Sequence, residues 1–112
     1  MEQITFQDFL DIDICIGTII KVDDFLEAKK PSYKLEVDFG EKIGIKKSSS
    51  QLKTMYSKKE LIGKQVLGVI NFPKKQIANF MSECLITGFI QNNGDVVLAI
   101  PDKKVDNGMR LL

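Results

Sequence analysis

A chain of 112 residues that is 44% hydrophobic and 28% charged fits a single domain, residues 1–112, folded throughout around a modest core, and excludes a low-complexity or disordered class. A formal net charge of +1 and a pI near 7.7 fall short of the pI of roughly 9 usual for a nucleic-acid-binding domain, and the absence of histidine removes the commonest general base near neutral pH. No apolar run approaches the roughly 20 residues that cross a bilayer, and the N-terminus lacks a basic region followed by an apolar one, so a cytoplasmic protein without membrane insertion is expected.

Thr5 reads as an N-cap with Asp8 at the positive end of a short helix, and Phe6, Phe9 and Leu10 share one of its faces. One turn is too short to stand alone, so that face needs something to pack on. Ile12, Ile14, Ile16, Ile19, Ile20 and Val22 then form a long β-branched strand, in which Gly17 predicts a bulge or sharp bend. Residues 23–31 read as a polar loop. Residues 33–39 alternate strictly and predict a half-buried second strand, with residues 43–47 as its hairpin partner.

The Ser48-Ser49-Ser50 run predicts a strand break and helix caps for residues 51–56, where Leu52, Met55 and Tyr56 share a face. Ser57 with Glu60 three positions later predicts a capping box, and Gly63 a stop. Residues 65–70 and 84–90 read as the fourth and fifth strands. The Asn92-Asn93-Gly94-Asp95 turn introduces a last strand over residues 96–100, which Pro101 ends. Cys15 and Cys84 have no Cys-x-x-Cys spacing and no histidine to join them, so they read as small apolar core residues, with neither a metal nor a cofactor expected.

Charge is unevenly spread along this order. Residues 1–41 carry −6, residues 42–75 carry +8 and residues 76–112 carry −1. A local cationic block in a nearly neutral chain predicts contact with an anion at one place. The block ends in the loop that follows the fourth strand, Asn71-Phe72-Pro73-Lys74-Lys75, which continues to Ser82-Glu83. It reads either as ordinary solvated surface or as a binding loop at a sheet edge. Ser82 and Glu83 could pass for a nucleophile and base, but with no histidine and no oxyanion glycine motif the chain is expected not to be an enzyme.

A Gly-bent first strand and a helix between the third and fourth strands give the order of an all-β, five-stranded OB-fold, a Greek-key barrel with short helices. Leu10-Asp11-Ile12-Asp13-Ile14-Cys15-Ile16-Gly17-Thr18-Ile19, Gly44-Ile45-Lys46-Lys47-Ser48-Ser49, Asn71-Phe72-Pro73 and Ser82-Glu83-Cys84-Leu85 resemble the tRNA-binding-domain family of OB-folds, in order and over nearly the whole chain. The resemblance implies a homodimer, an export-chaperone role toward unfolded preproteins or peptides with the export machinery as a further partner, and structure-selective tRNA binding. A detached recruiting domain of a synthetase fits one short domain less well.

The same resemblance implies a ligand face made of Lys46, Lys47 and Ser48 from the third strand, Asn71, Phe72, Pro73, Lys74 and Lys75 from the loop, and Ser82 and Glu83 after it. Phe80 reads as core more than ligand. The family commonly has arginine at the place of Cys15, glycine at that of Asn79 and a basic residue at that of Gln76. Asn79 tolerates positive φ better than most residues, whereas Cys15 and Gln76 each remove a cation. Both chain ends are apolar, with Ile4, Phe6, Phe9 and Leu10 at one and Met109, Leu111 and Leu112 at the other. They are expected either to dock on their own barrel or to form a two-fold interface.

Overall fold

The computed structural model describes residues 1–112, with elements α1 (Phe6–Leu10), β1 (Ile14–Asp24), β2 (Tyr33–Asp38), β3 (Ile45–Ser50), α2 (Lys58–Leu61), β4 (Gln65–Val69), β5 (Lys75–Ile77), β6 (Phe80–Ser82), β7 (Leu85–Ile86), β8 (Gly88–Ile90) and β9 (Val96–Leu98). Alternation builds the sheet. In β2, Tyr33, Leu35 and Val37 are buried while Lys34, Glu36 and Asp38 are half-exposed, so one face meets the core along the whole strand. The strand order β3-β2-β1-β4-β7 is antiparallel throughout and curls into the nearly closed barrel expected, with α2 between β3 and β4. Residues 108–111 close the free edge of β1: Gly108 N donates to Ile16 O, Ile16 N to Met109 O and Leu111 N to Ile14 O.

Gly17 does not mark the bulge. The register slips instead between Ile19 and Lys21. Gly17 and Gly68, on neighbouring strands, leave a hollow for the fully buried ring of Phe39; a Cβ on Gly17 would stand 2.8 Å from that ring and one on Gly68 2.7 Å. Close ring-to-backbone packing is what this glycine serves.

The predicted capping box of Ser57 with Glu60 forms, Thr5 caps α1 as expected and its Asp8 completes a second box, and Gly63 follows α2 with φ +86. The serine run does not break β3. The strand continues through Ser50, which pairs with Tyr33, and residues 51–56 make turns instead of the expected helix. Leu52 is buried there, Tyr33 Oη donates to Tyr56 O, and Tyr56 Oη accepts from Leu98 N, so the turns are pinned to the barrel by long-range bonds. The segment expected as one fifth strand divides at Thr87, which switches partners: its N donates to Leu67 O while its carbonyl accepts from Ala99 N.

Candidate binding surface

The loop after β4 is a hairpin. β5 and β6 pair Lys75 with Ser82, Gln76 with Met81 and Ile77 with Phe80. Its turn takes positive φ at Ala78 (φ +50), one residue before Asn79, and Gln76 Nε2 donates to Ala78 O at 2.7 Å. Phe80 seats the hairpin on the loop after β1: its ring lies 5.5 Å from that of Phe25, and Lys34 Nζ stands 5.0 and 5.7 Å from the Phe25 and Phe80 centroids. An ammonium over two ring faces holds the seat electrostatically as well as by packing. Asn79 Nδ2 adds a 3.4 Å bond to Glu27.

Several expected ligand residues turn out to brace this arrangement. Glu83 N donates to Lys47 O, Glu83 Oε1 accepts from Lys47 N at 2.9 Å, and Glu83 Oε2 lies 3.6 Å from Lys74 Nζ. Ser82 Oγ accepts from Ser49 N, and the hydroxyls of Ser82 and Ser48 both donate to Cys84 O. Asn71 Oδ1 accepts from Asp13 N and its Nδ2 donates to Asp11 O, fastening the start of the loop to the segment after α1. Buried Ser48 has no free face.

Phe72, Pro73, Lys74 and Lys75 are exposed, and together with Ser82 they line one groove of about 580 Å³ whose other walls include Ser49, Gln51, Ile77, Cys84 and Leu85. Phe72 is 54% exposed. Adjacent strand residues point oppositely, so Lys46 and Lys47 do not share a face: Lys47 stands opposite half-exposed Glu36, while Lys46 stands opposite buried Val37 and is itself half-buried. The charge of Lys46 acts on Cys84, whose thiol burial pushes up to about 12 against the opposing pull of the Ser48 hydrogen bond and of Lys46. Burial, with the charge of Asp13, also raises the Cys15 thiol. Both cysteines are free and buried, the state of inert packing residues.

Lys29 and Lys30 were not foreseen. They line a 420 Å³ cavity between the loop after β1 and the hairpin, beside Ser49, Gln51 and Ile77. The signal available was a lysine pair before Pro31, indistinguishable in sequence from an ordinary connection. No cluster of three or more carboxylate, thiol or imidazole groups is placed to hold a metal, and no helix is long and apolar enough to cross a membrane.

The chain ends meet. Arg110 Nη1 bonds Asp13 Oδ1 at 2.6 Å and Nη2 donates to Leu10 O and Ile12 O, so the C-terminal strand holds the segment after α1. Ile4, Phe6, Met109, Leu111 and Leu112 remain exposed and Phe9 and Leu10 half-buried, and Met109 and Leu111 line a small groove with Ile16, Leu67, Ile100 and Val105. Phe6 keeps 66% of its surface exposed, so its ring is not docked on its own barrel.

Residues 14–110 match the tRNA binding domain family. The crystal structure of chaperone CsaA from Bacillus anthracis strain Ames is 41% identical, covers 99% of this chain and 100% of its own, and superposes with a TM-score of 0.93. That of CsaA chaperone protein from Picrophilus torridus is 50% identical over 98% of this chain and 100% of its own, with a TM-score of 0.91. Methionine–tRNA ligase from Pyrococcus horikoshii is 32% identical over 111 residues, 99% of this chain, which spans only 15% of that ligase's length.

Proposed function

Because this chain belongs to the tRNA binding domain family, we propose that it is a non-catalytic binding protein of the CsaA kind, a chaperone that holds unfolded preproteins or peptides for export on the groove between β3 and the β5–β6 hairpin. What carries the reading is the identity of 41% and 50% to the two CsaA chaperones, against 32% to the ligase. The groove supports it by mixing exposed Phe72, Pro73 and Leu85 with Lys74 and Lys75, apolar area for an unfolded chain beside cations that speed encounter. The export machinery, a cytoplasmic setting, a single domain over residues 1–112 and a homodimer formed through the chain ends belong to the same reading.

Structure-selective tRNA binding is the second reading, and the family match favours it. Lys47, Lys74 and Lys75 are suited to neutralise phosphates and Phe72 to stack on an unpaired base. One competition experiment tests both: purified protein is titrated with labelled tRNA and with an unfolded signal-bearing protein at two salt concentrations. Affinity for tRNA is expected to fall with salt by a log-log slope of roughly 0.7 to 0.9 per phosphate contact, affinity for the unfolded protein to change little, and each ligand to displace the other. Binding of tRNA alone overturns the chaperone reading, and binding of neither overturns both.

A further inference from the structure

The barrel is left open between β3 and the β7–β8 strands. In the β8–β9 ladder Ala99 N donates to Thr87 O and Gln91 N to Asp95 O, so the bonded pairs fall at residues 87, 89 and 91. In an antiparallel ladder the pairs between them bond outward, and Gly88 and Ile90 therefore direct their N–H and C=O groups to the opposite edge. Ile86 does the same, because Thr87 N donates to Leu67 O and makes Ile86 an outward residue of the β4–β7 ladder. The register leaves the N–H groups of Ile86, Gly88 and Ile90 outside the β4–β7 and β8–β9 ladders, and no side-chain acceptor takes them.

The facing bank is β3. At one end of the gap Glu83 bonds Lys47 and Ser82 bonds Ser49, but beyond Ser49 the N–H of Gln51 has no acceptor. The gap is thus stitched at its Glu83 end and widens toward Gln51 and Ile90 into a cavity of about 550 Å³, bordered by Lys30, Gln51, Leu52, Leu85 and Ile90. Ile90 is 79% exposed on this border, and Lys30 has no carboxylate partner.

We propose that this edge accepts an extended polypeptide segment as an added strand, apolar at alternate positions and carrying a carboxylate near Lys30. The inference rests on the peptide-binding reading above and gives that ligand a second contact beside the hairpin groove, with which this cavity shares Ser49, Gln51 and Leu85. A row of outward N–H and C=O groups repeating every second residue is matched by another strand. Phosphates would satisfy the N–H groups but set acceptor against acceptor at the carbonyls of Gly88 and Ile90, so the edge favours peptide over RNA. Ile90, on the same strand face as Ile86 and Gly88, gives alternate side chains of the added segment an apolar surface, and Lys30 gives the acidic one a partner.

The test is amide hydrogen exchange on the full chain, with and without a capped nonapeptide that alternates valine with threonine and ends in aspartate. Saturating peptide is expected to slow exchange at Ile86, Gly88 and Ile90 by at least about tenfold while leaving Phe89, already in the ladder, nearly unchanged. Single N-methylation along the peptide should lower affinity at every second position. If the peptide binds and these three amides keep their rates, the edge proposal is wrong and the peptide-binding reading survives. If no peptide binds to protein that still binds tRNA, both are wrong. Protection present without peptide and rising with protein concentration would assign the edge to a second copy of the chain and overturn the proposal.

Discussion

Phe72 and Phe80 stand at the two ends of one hairpin segment and do opposite things. Phe80 is held by Phe25 and Lys34, whereas Phe72 keeps 54% of its surface in solvent beside Pro73 and Lys74. Phe72→Ala is expected to weaken binding of tRNA or peptide by about 1 to 3 kcal/mol, the range for stacking on an aromatic ring. It should leave Tm almost unchanged, because a half-exposed ring contributes little burial to lose. A fall beyond about 4–8 °C, the shift that 1 kcal/mol makes in a domain of this size, would place the ring in the core instead. The polar candidates were harder to read at this scale. Ser, Asn and Glu suit a ligand and a backbone equally well, and only the fold shows that Asn71 fastens Asp11 and Asp13 and that Glu83 fastens Lys47.

Elements here are joined through a few long-range bonds, and Asp24 at the end of β1 is one such joint. Its carboxylate meets Lys58 Nζ of α2 at 2.8 Å and Lys53 Nζ of the preceding turn at 3.2 Å. Hydrogen bonds from Lys58 and then Lys53 hold Asp24 below its ordinary 3.8, and the same contact raises Lys58 above 10.5. A depressed carboxylate contributes stability that is present above its unfolded value and lost as pH falls through the lower folded one; a raised lysine contributes stability present below 10.5 and lost only as pH climbs through its higher folded value. Asp24→Asn should therefore lower Tm at neutral pH, with the difference from the parent closing as pH drops below 3.8. Melting curves that stay parallel across that window would remove Asp24 from the account. At this scale β2, the Thr5 cap and the Ser57–Glu60 capping box were legible, because alternation and local side-chain bonds act within a few residues. The extension of β3 was not: serine reads as a cap, and what keeps Ser50 in a strand is Tyr33, distant in sequence. The hairpin was hidden too, since its turn bends at Ala78 without a glycine to announce it.

For the molecule as a whole, the homodimer proposed above turns on the apolar ends. Arg110 joins Asp13 across 97 positions of sequence and donates to Leu10 O, so the end of α1 and residues 109–111 come to one region that a list of terminal residues could only suggest. A barrel with 20 of 112 residues buried has a small core, and an exposed apolar region gathered by a specific ion pair is better explained by a partner than by fraying. A two-fold interface there would bury on the order of 800 Å² per partner, and would set two hairpin grooves on one particle. Two weak grooves then act on one long ligand through effective concentration, which suits an unfolded chain or a folded RNA more than a short peptide. Deleting residues 1–10 leaves β1, which begins at Ile14, intact and removes α1 with Phe6, Phe9 and Leu10. Sedimentation at micromolar concentration should show a dimer for the full chain and a monomer for the shortened one, and Phe6→Glu should act in the same direction without touching the barrel. Affinity for a long unfolded protein should fall in both, while affinity for a nonapeptide stays close to that of the parent. A full chain that is already monomeric, or a shortened one that remains dimeric with undiminished affinity, would detach the termini from binding.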